Sequence, residues 1–549
     1  MSIVKFIPGK SPKWVNYNIN DFDIWIASDN AKAIAQNTIV YLTNNLINEK
    51  SISEMLNGIF DHYGIIITCD KWFLAAVDTC RSYPIYWNKN NEQFLLSNQA
   101  NKIAKYSKSN INNIQKLAFQ MSGYTIADGT FWSDIYNLNG GEYIFYDKSG
   151  KFCKKKYFQY NPWQAKDIKF DKLKLKLMSE INKILDNLIL KADGRTIAIP
   201  LSAGLDSRLI ASGLKFKNYK NVKCFSYGLK NNFESKASEK IAKALGFEWK
   251  FIQINYINAR KYYESKEFKL LFQNCNDGCA TPGMQDSYAI KILLEEKYLN
   301  NNDLIVNGNS GDYLSGGHLP NNSMKWNKEK DIKKICETIF NEHYKKHYSL
   351  WESLKTPKNK DLIKNEIIKQ INSFNINIKN GISPHGILEL LEYENRQSKY
   401  VINFQRVYDF YNLSWSLPLW DYSFIKFWST VPPKYKFKQN LYKEVLFEMN
   451  MGDVWTDEYT FKQTISPLWI RIFRNFIKIA FIFFGKKKWH QIDSKYFYYW
   501  IDNILGQCLL PYIQTIKNNN GPRHFVSWHT LYAEEITLKS NWQKIDFKK

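Results

Sequence analysis

Residues 196–214 end an apolar run in a turn rich in hydroxyl and carboxylate groups, and a helical pattern follows directly. The turn consists of Leu201, Ser202, Ala203, Gly204, Leu205, Asp206 and Ser207. Hydroxyls and the free N–H groups at a helix start bind phosphate oxygens. An aspartate there can hold a Mg²⁺ that bridges phosphates, and a glycine permits a positive φ or a close backbone approach. Because serine and aspartate also favour ordinary helix N-caps, the turn alone leaves both interpretations open.

The elements around this turn alternate between strand and helix. The predicted strands are 196–201, 222–228, 248–254 and the start of 303–312, and the predicted helices are 206–215, 234–246 and 285–299. Such alternation indicates a doubly wound parallel sheet. Ligands bind at the carboxyl ends of the strands in such sheets, and the turn at 201–207 lies at one of those ends.

The first 150 residues show a different pattern, which predicts an α+β domain. Hairpin strands are expected at 62–70, 72–78, 85–97 and 141–158, with helical patches near 29–49 and 111–121. A linker at 160–170 precedes a long amphipathic helix, and from about residue 325 the signals are mainly helical. We therefore expect one domain at 1–165 and a second at 166–549, since 549 residues are too many for a single core.

Composition restricts the classes of function. The net charge is +24, but lysine is spread along the chain and no basic stripe with interleaved aromatics stands out, which favours a solvated surface over nucleic-acid binding. The eight cysteines are scattered, without a CxxC pair or a histidine at metal-ligand spacing. Sparse cysteine and the lack of a signal-peptide core at the N-terminus predict a cytoplasmic protein.

The turn at 202–207 resembles the SGGxDS pyrophosphate loop of the ATP pyrophosphatase superfamily, with Ala203 at the second position. Three further stretches resemble asparagine synthetases: CFSYGL, CATPGMQDS at 279–287, and NGNSGDYLSGGH at 307–318. The resemblance implies ATP and Mg²⁺ as cofactors. It implies a nucleotide site formed by residues 201–207 with Ser226, Tyr227, Gly228 and Gly308, and a metal site of Asp206 and Asp312. Asn309 replaces the glutamate of the family pattern, which affects the arrangement of the metal.

The segment 56–98 is similar to the back half of a class II glutamine amidotransferase domain. This resemblance implies an Ntn-hydrolase-like sandwich of antiparallel sheets. A working glutaminase of this class has cysteine at position 2, whereas this sequence has Ser2, a weaker nucleophile unless a base activates it. We therefore expect a degenerate domain and ammonia that comes from solution or from a separate glutaminase.

Residues beyond 390 extend the resemblance. LYKEVL places Lys443, and DEYTFKQTISP places Lys462, where the family carries lysines; Lys462 would neutralise the leaving pyrophosphate. Each lysine is equally open to interpretation as a surface cation. A polar helix-like run, which could face the acceptor, carries Arg396, Gln397, Lys399, Asn403 and Arg406.

The implied reaction is ATP-dependent amide formation through an acyl-adenylate. Similar stretches in asparagine-synthetase-like proteins of surface-polysaccharide gene clusters suggest a small or sugar-linked carboxylate, such as a uronic acid, and ammonia or an amine. Two alternatives stay open. One is ring closure with an internal amine, as in β-lactam synthetases and lasso-peptide cyclases, and the other is an inactive nucleotide-binding scaffold.

The segment 469–490 is apolar with basic flanks but too short in its uncharged run to cross a bilayer. Ile470, Phe473, Ile477, Phe481 and Phe484 recur at helical spacing. The pattern predicts a buried helix, or alternatively a helix that lies on an anionic membrane surface.

Overall fold

Two sheets are built from the strands that precede residue 157. The protein is described here by a computed structural model over residues 4–9, 11, 13–90, 93–166, 168–456, 465–501, 509–518 and 525–539. The strands are β1 (Val4–Phe6), β2 (Trp14–Ile19), β3 (Phe22–Ala27), β4 (Gly64–Thr68), β5 (Trp72–Val77), β6 (Tyr86–Asn90), β7 (Gln93–Ser97), β8 (Tyr136–Asn137), β9 (Glu142–Asp147) and β10 (Phe152–Lys156). One sheet has the order β1-β7-β6-β8 and the other β10-β9-β5-β4-β3-β2.

The six-stranded sheet is covered on both faces. Side chains alternate across a strand, so Ile65 and Ile67 of β4 pack in a cluster with helices α1 (Ala31–Asn44) and α2 (Glu49–Asn57). Ile66 points to the opposite face and belongs to the core that contains β7. The predicted α+β sandwich is therefore confirmed, although the sequence analysis missed the β2–β3 hairpin.

The second sheet is parallel and contains β11 (Ile197–Pro200), β12 (Val222–Gly228), β13 (Glu248–Gln253), β14 (Leu304–Val306) and β15 (Ser414–Ser416). Its order is β13-β12-β11-β14-β15, and all four pairings are parallel. The predicted doubly wound sheet is confirmed, with β15 as an additional edge strand. The order reverses between β11 and β14, so the loops that leave these two strands lie together at a topological switch point.

Helices supply the remainder of the described chain. They are α3 (Ala100–Ser107), α4 (Asn113–Ser122), α5 (Phe170–Ala192), α6 (Leu205–Phe216), α7 (Phe233–Leu245), α8 (Tyr256–Glu264), α9 (Lys266–Cys275), α10 (Ser287–Glu295), α11 (Gly311–Leu314), α12 (Ile332–His347), α13 (Pro357–Ser373), α14 (Pro384–Leu391), α15 (Arg406–Phe410), α16 (Tyr422–Ser429), α17 (Pro433–Lys436), α18 (Asn440–Met449), α19 (Leu468–Phe481), α20 (Lys486–Tyr496), α21 (Tyr512–Lys517) and α22 (Phe525–Lys539). A π-helical segment, Glu392–Val401, follows α14 directly. The helical C-terminal part is thus as predicted.

Buried polar contacts join the two sheet systems. Arg81 lies 3.6 Å from the carboxylate of Asp277, and Lys191 lies 2.7 Å from Asp61. Buried charges of this kind persist when each has a partner, so these pairs fix how the parts dock. The division at 165/166 stays a prediction; β10 ends at residue 156 and α5 begins at residue 170.

Candidate functional site

The loop after β11 is folded on its own hydroxyl groups. The backbone N–H of Ser202 donates to Oγ of Ser207 at 3.0 Å, and the two Oγ atoms are also 3.0 Å apart. Gly204 N–H donates to Oγ of Ser202 at 3.2 Å. The small residues predicted as phosphate ligands therefore form one tight turn at the carboxyl edge of the sheet.

Helix α6 begins at this turn with an uncapped N-terminus. Its N-cap residue is Gly204, which makes no side-chain cap hydrogen bond. Gly204 has φ −69° and ψ 172°, so the positive φ considered for it is absent. The ordinary N-cap interpretation is therefore wrong for this turn. A helix start without a side-chain cap is suited to an anion, and a side chain at Gly204 would meet only Oγ of Ser202, at 3.3 Å.

Asp206 and Asp312 meet across the two loops. Oδ2 of Asp206 accepts a hydrogen bond from the backbone N–H of Asp312 at 2.9 Å, and Oδ1 accepts from the hydroxyl of Tyr442 at 3.0 Å. Desolvation, and then the charge of Asp312, raise the pKa of Asp206 to about 8. The Asp312 side chain is 55% exposed and opens to solvent. The structure thus brings the two predicted metal carboxylates together at the switch point.

Gly308 brings β14 close to the α6 turn. A Cβ on Gly308 would lie 2.7 Å from the backbone carbon of Asp206 and 2.8 Å from the backbone N of Ser207. The loop is held from behind, because Oγ of Ser310, a residue with φ 71°, donates to Oε1 of Gln397 at 2.7 Å. Gly308 therefore has a packing role beside its predicted place in the nucleotide site.

Ser226, Tyr227 and Gly228 end β12, the neighbour of β11. Ser226 is buried and Tyr227 is half-buried, and Gly228 has φ 133°, which favours glycine. Leu201 is buried and donates its N–H to the carbonyl of Phe225 at 2.9 Å. The strand ends predicted to contact the nucleotide are thus adjacent in the sheet.

His318 and Glu392 extend the site beyond what the sequence analysis found. Nε2 of His318 is 3.1 Å from Oδ2 of Asp312, and its Nδ1 contacts Oε1 of Glu392. Desolvation alone would lower the pKa of His318, but the charge of Glu392 and the hydrogen bond with Asp312 raise it to about 9. His318 is therefore protonated at neutral pH, and its hydrogen bond and charge lower the pKa of Asp312, against the opposing effect of desolvation.

Basic side chains surround the buried Glu392. Its carboxylate lies 3.2 Å from Nζ of Lys346, 3.3 Å from Nε2 of His347 and 3.6 Å from a guanidinium nitrogen of Arg396. Desolvation raises the pKa of Glu392, but the charges of His318, His347 and Lys346 and the hydrogen bond with His318 hold it well below its usual range. The sequence signals for this cluster were His318, at the end of the quoted SGGH stretch, and Arg396 in the polar run.

The candidate lysines and the residues of the polar run differ in where they lie relative to the site. Lys443 is half-buried and follows Tyr442 on α18, whereas Lys462 lies outside the described residues. That the polar run faces an acceptor stays a prediction, but Arg396 and Gln397 do contact the candidate site, at Glu392 and Ser310. Lys399 does not: its buried ammonium donates to backbone carbonyls of the N-terminal part, at 2.9 Å for Thr125. Asn403 and Arg406 likewise donate to backbone carbonyls away from the site, those of Cys275 (3.3 Å) and Ser82 (2.6 Å).

The family model for asparagine synthase matches residues 190–450, which include both loops and their aspartates. Residues 190–450 form an asparagine synthase domain. The microcin J25-processing protein McjC of Escherichia coli is 27% identical to the chain over 193 residues, which are 34% of each protein. The match therefore spans about a third of that relative.

Two solved structures are also similar to the chain. The glutamine phosphoribosylpyrophosphate amidotransferase of B. subtilis has 9% identity over 54% of this chain and 63% of its own, with a TM-score of 0.19. The NH3-dependent NAD synthetase of Campylobacter jejuni has 16% identity over 38% of this chain and 96% of its own, with a TM-score of 0.20. The architecture of the synthase domain follows from its strand order and not from these superpositions.

Proposed function

We propose that the protein forms amide bonds at the expense of ATP, through an acyl-adenylate. The observation that carries the proposal is the meeting of Asp206 and Asp312 beside the uncapped N-terminus of α6. A helix N-terminus attracts the negative charge of phosphate, and the asparagine synthase match covers the same residues. The nucleotide lies, in this proposal, along residues 201–207, 226–228 and Gly308.

The donor set of this site fits Mg²⁺. Magnesium prefers oxygen ligands and is bound through one or two carboxylates together with substrate phosphates. Asp206 and Asp312 supply such carboxylates, and the exposed face of Asp312 leaves room for phosphate oxygens and water. When bound, the ion offsets the charge that develops on pyrophosphate.

The chain's own groups position the reaction. A substrate carboxylate oxygen bonds to the α-phosphorus of ATP while the bond to the bridging oxygen breaks and pyrophosphate leaves. The turn at 202–207 holds the leaving group with N–H and hydroxyl donors, and Lys443 and Lys462 are proposed to add positive charge. An amine then attacks the acyl carbon, AMP leaves, and the amine proton passes to solvent. Positioning and electrostatics are the expected contributions of a protein to phosphoryl chemistry.

The carboxylate we favour is a uronic acid unit of a surface sugar, converted to its amide by ammonia. Its support is the similarity of the 308–318 and 394–408 stretches to asparagine-synthetase-like proteins of polysaccharide clusters. Ser2 stands where the glutaminase pattern needs cysteine, so the proposal takes ammonia from solution or from a separate glutaminase.

Peptide ring closure is the second candidate. The match to the microcin J25-processing protein McjC supports it, since ring closure with an internal amine, as in lasso-peptide cyclases, is the enzymatic alternative that the sequence left open. In this case the amine belongs to the same molecule as the carboxylate. The chemistry at Asp206 and Asp312 is the same in both candidates, and only the acceptor side differs.

An assay with separate amine sources tests the proposal. The full chain is incubated with ATP, Mg²⁺ and nucleotide-linked uronic acids, with ammonium, with glutamine or with neither, and AMP and pyrophosphate are measured. We expect AMP formation that requires ammonium. If AMP forms only with a peptide acid that carries its own amine, the reaction is cyclisation and not amidation. Absence of AMP under every condition would support the scaffold and overturn the enzymatic proposal.

The segment 468–484 presents an exposed apolar face. Ile470, Ile477 and Phe481 pack against α20, but the other face of α19 and the turn after it stay open to solvent. The exposed side chains are Leu468, Trp469, Ile472, Phe473, Phe476, Ile479, Phe483 and Phe484. The predicted single stripe is therefore split, and the buried-helix interpretation holds for only one of its faces. None of the described helices is long and apolar enough to cross a bilayer.

We propose that this face rests on an anionic membrane surface. Lys478, Lys486 and Lys488 are exposed beside the apolar side chains, and the chain carries a net charge of +24. An apolar face with flanking lysines is typical of helices that lie in the membrane interface.

Vesicle binding tests the membrane proposal. Because burial of one phenylalanine contributes about 1.5–3 kcal/mol, the change Phe476→Ser is expected to weaken binding to vesicles with anionic lipid about tenfold or more. Leu190→Ser, on exposed α5 surface, is the matched control and leaves binding unchanged. Equal binding of wild type and Phe476→Ser would contradict the proposal. Self-association of the wild type in sedimentation that Phe476→Ser abolishes would also contradict the proposal, because the apolar face would then bind a second copy of the chain.

A further inference from the structure

Three metal-binding side chains converge at one end of the six-stranded sheet. His62 lies just before β4, and Asp78 and Cys80 follow β5. Nδ1 of His62 is 3.3 Å from Oδ2 of Asp78, and Sγ of Cys80 is 3.6 Å from Oδ2 of Asp78 and 3.7 Å from Nδ1 of His62. Within the described ranges, no other three such ligands lie this close together. The sequence spacing of the cysteines and histidines did not predict this cluster, because only the fold brings His62 close to Cys80.

The triangle of donor atoms has the size of one face of a zinc tetrahedron. Zinc bonds of about 2.3 Å to sulfur and about 2.0–2.1 Å to nitrogen and oxygen, at tetrahedral angles, place sulfur roughly 3.5 Å from each lighter atom. The same bonds place nitrogen and oxygen roughly 3.3 Å apart. The three observed distances agree with these values within about 0.2 Å, the tolerance expected of a real site.

A supporting layer orients the carboxylate and the thiol. Oδ1 of Asp78 accepts the backbone N–H of Ser82 at 2.7 Å, which turns Oδ2 toward the other donors. Oγ of Ser82 lies 2.9 Å from Nδ1 of His62 and 3.0 Å from Sγ of Cys80. The His62 ring stacks on Trp415, with centroids 4.9 Å apart. Metal ligands are characteristically held by such second contacts.

A cavity of about 580 Å³ gives the cluster an entry path. His62 and Asp78 line it on one side, and Ser416, Leu417 and Asp421 of the synthase part line it on the other. Cys80 does not line the cavity and is buried. An ion in the triangle would thus have three protein ligands and a fourth position that faces the cavity, the arrangement of zinc sites that keep an open position.

We propose that His62, Asp78 and Cys80 bind one Zn²⁺ ion, with the fourth position open to the cavity between the two sheet systems. The site is independent of the proposed ATP chemistry. On binding, the Cys80 thiol proton leaves to solvent as the Zn–S bond forms, and the imidazole proton resides on Nε2. Because the N–H of Leu417 donates to Nε2 at 3.3 Å in the present structure, that contact lengthens on binding. Metal binding is therefore coupled to the contact between the two parts of the chain.

Metal analysis and cobalt spectroscopy of the full chain test the site. The protein is prepared without chelator, equilibrated with Zn²⁺, dialysed and analysed for bound metal, and a second sample is loaded with Co²⁺. We expect one tightly bound ion per chain and a thiolate-to-cobalt charge-transfer band. Cys80→Ser is expected to abolish the band and lower Zn²⁺ affinity at least about tenfold. Cys153→Ser removes a half-buried thiol of the same sheet and leaves both readouts unchanged.

Two outcomes would overturn the proposal: a dialysed wild-type protein without bound metal or cobalt–thiolate band, or a band that survives Cys80→Ser. Binding that His62→Asn leaves intact shows adventitious metal and likewise rejects the site. If Cys80→Ser fails to fold by circular dichroism, the variant Ser82→Ala decides, because it keeps all three ligands and removes only the neighbouring hydroxyl. It is expected to weaken Zn²⁺ binding about tenfold, and unchanged affinity would contradict the proposal.

Discussion

Asp206→Asn is expected to lower ATP-dependent AMP formation at least about 100-fold, the size of effect seen when one preorganised electrostatic group is lost from an active site. Asparagine has the shape of aspartate, and its amide can still accept from the backbone N–H of Asp312 while it contacts the hydroxyl of Tyr442. The change therefore removes a carboxylate oxygen at the point where the two loops meet, together with the negative charge that this carboxyl would carry when a cation is bound, and leaves the packing in place. Pyrophosphate release under saturating ATP and Mg²⁺ measures the loss.

The control separates this effect from a general loss of charge. Asp171→Asn alters an exposed carboxylate in the first turn of α5 and is expected to retain wild-type turnover. Both variants should melt within a few degrees of the wild type, since neither leaves a buried group without a partner. Full AMP production by Asp206→Asn would remove Asp206 from the metal site and, with it, the assignment of the opposing loop.

The local sequence pattern was sufficient to predict most elements of the parallel sheet. The strand predicted at 222–228 has those same bounds, and the helix predicted at 234–246 ends at Leu245 with Gly246 in the left-handed region, at φ 71°. These elements carry their own signals, namely apolar periodicity and a glycine C-cap. β15 has three residues, and only pairing with β14 makes it a strand. Such an element depends on contacts distant in sequence, which no local window contains.

The residues of the candidate site show the same difference between local signals and contacts that are distant in sequence. The turn at 202–207 could be proposed from the sequence because its candidate residues are consecutive. Tyr442, by contrast, reaches Asp206 from 236 residues away, and Glu392 reaches His318 from 74 away. The residues of the polar run point in different directions for another reason. Residues 392–401 are π-helical, with i→i+5 hydrogen bonds, so faces extrapolated at 3.6 residues per turn drift around the axis. Lys399 consequently points to the N-terminal part and Arg396 to the site.

Gly308→Ala is expected to reduce both stability and AMP formation. A methyl group at this position would lie 2.7 Å from the backbone carbon of Asp206, so the loop after β14 and the start of α6 have to separate. Overpacking of this kind costs about 1–3 kcal/mol. The movement also displaces Asp312 from Asp206, and misplacement of reacting groups by about 1 Å can cost roughly 100-fold in rate.

Thermal unfolding and AMP formation, measured on the same preparation, test this prediction. Gly204→Ala is the comparison for stability, because its φ of −69° suits alanine and the nearest atom to the new Cβ is Oγ of Ser202 at 3.3 Å. It should keep the wild-type melting temperature, while Gly308→Ala melts several degrees lower. If both glycine variants were equally stable and Gly308→Ala kept full activity, the two loops could not be in the close contact on which the shared aspartate site depends. The requirement for glycine at 308 is thus a direct measure of how tightly the switch point is closed.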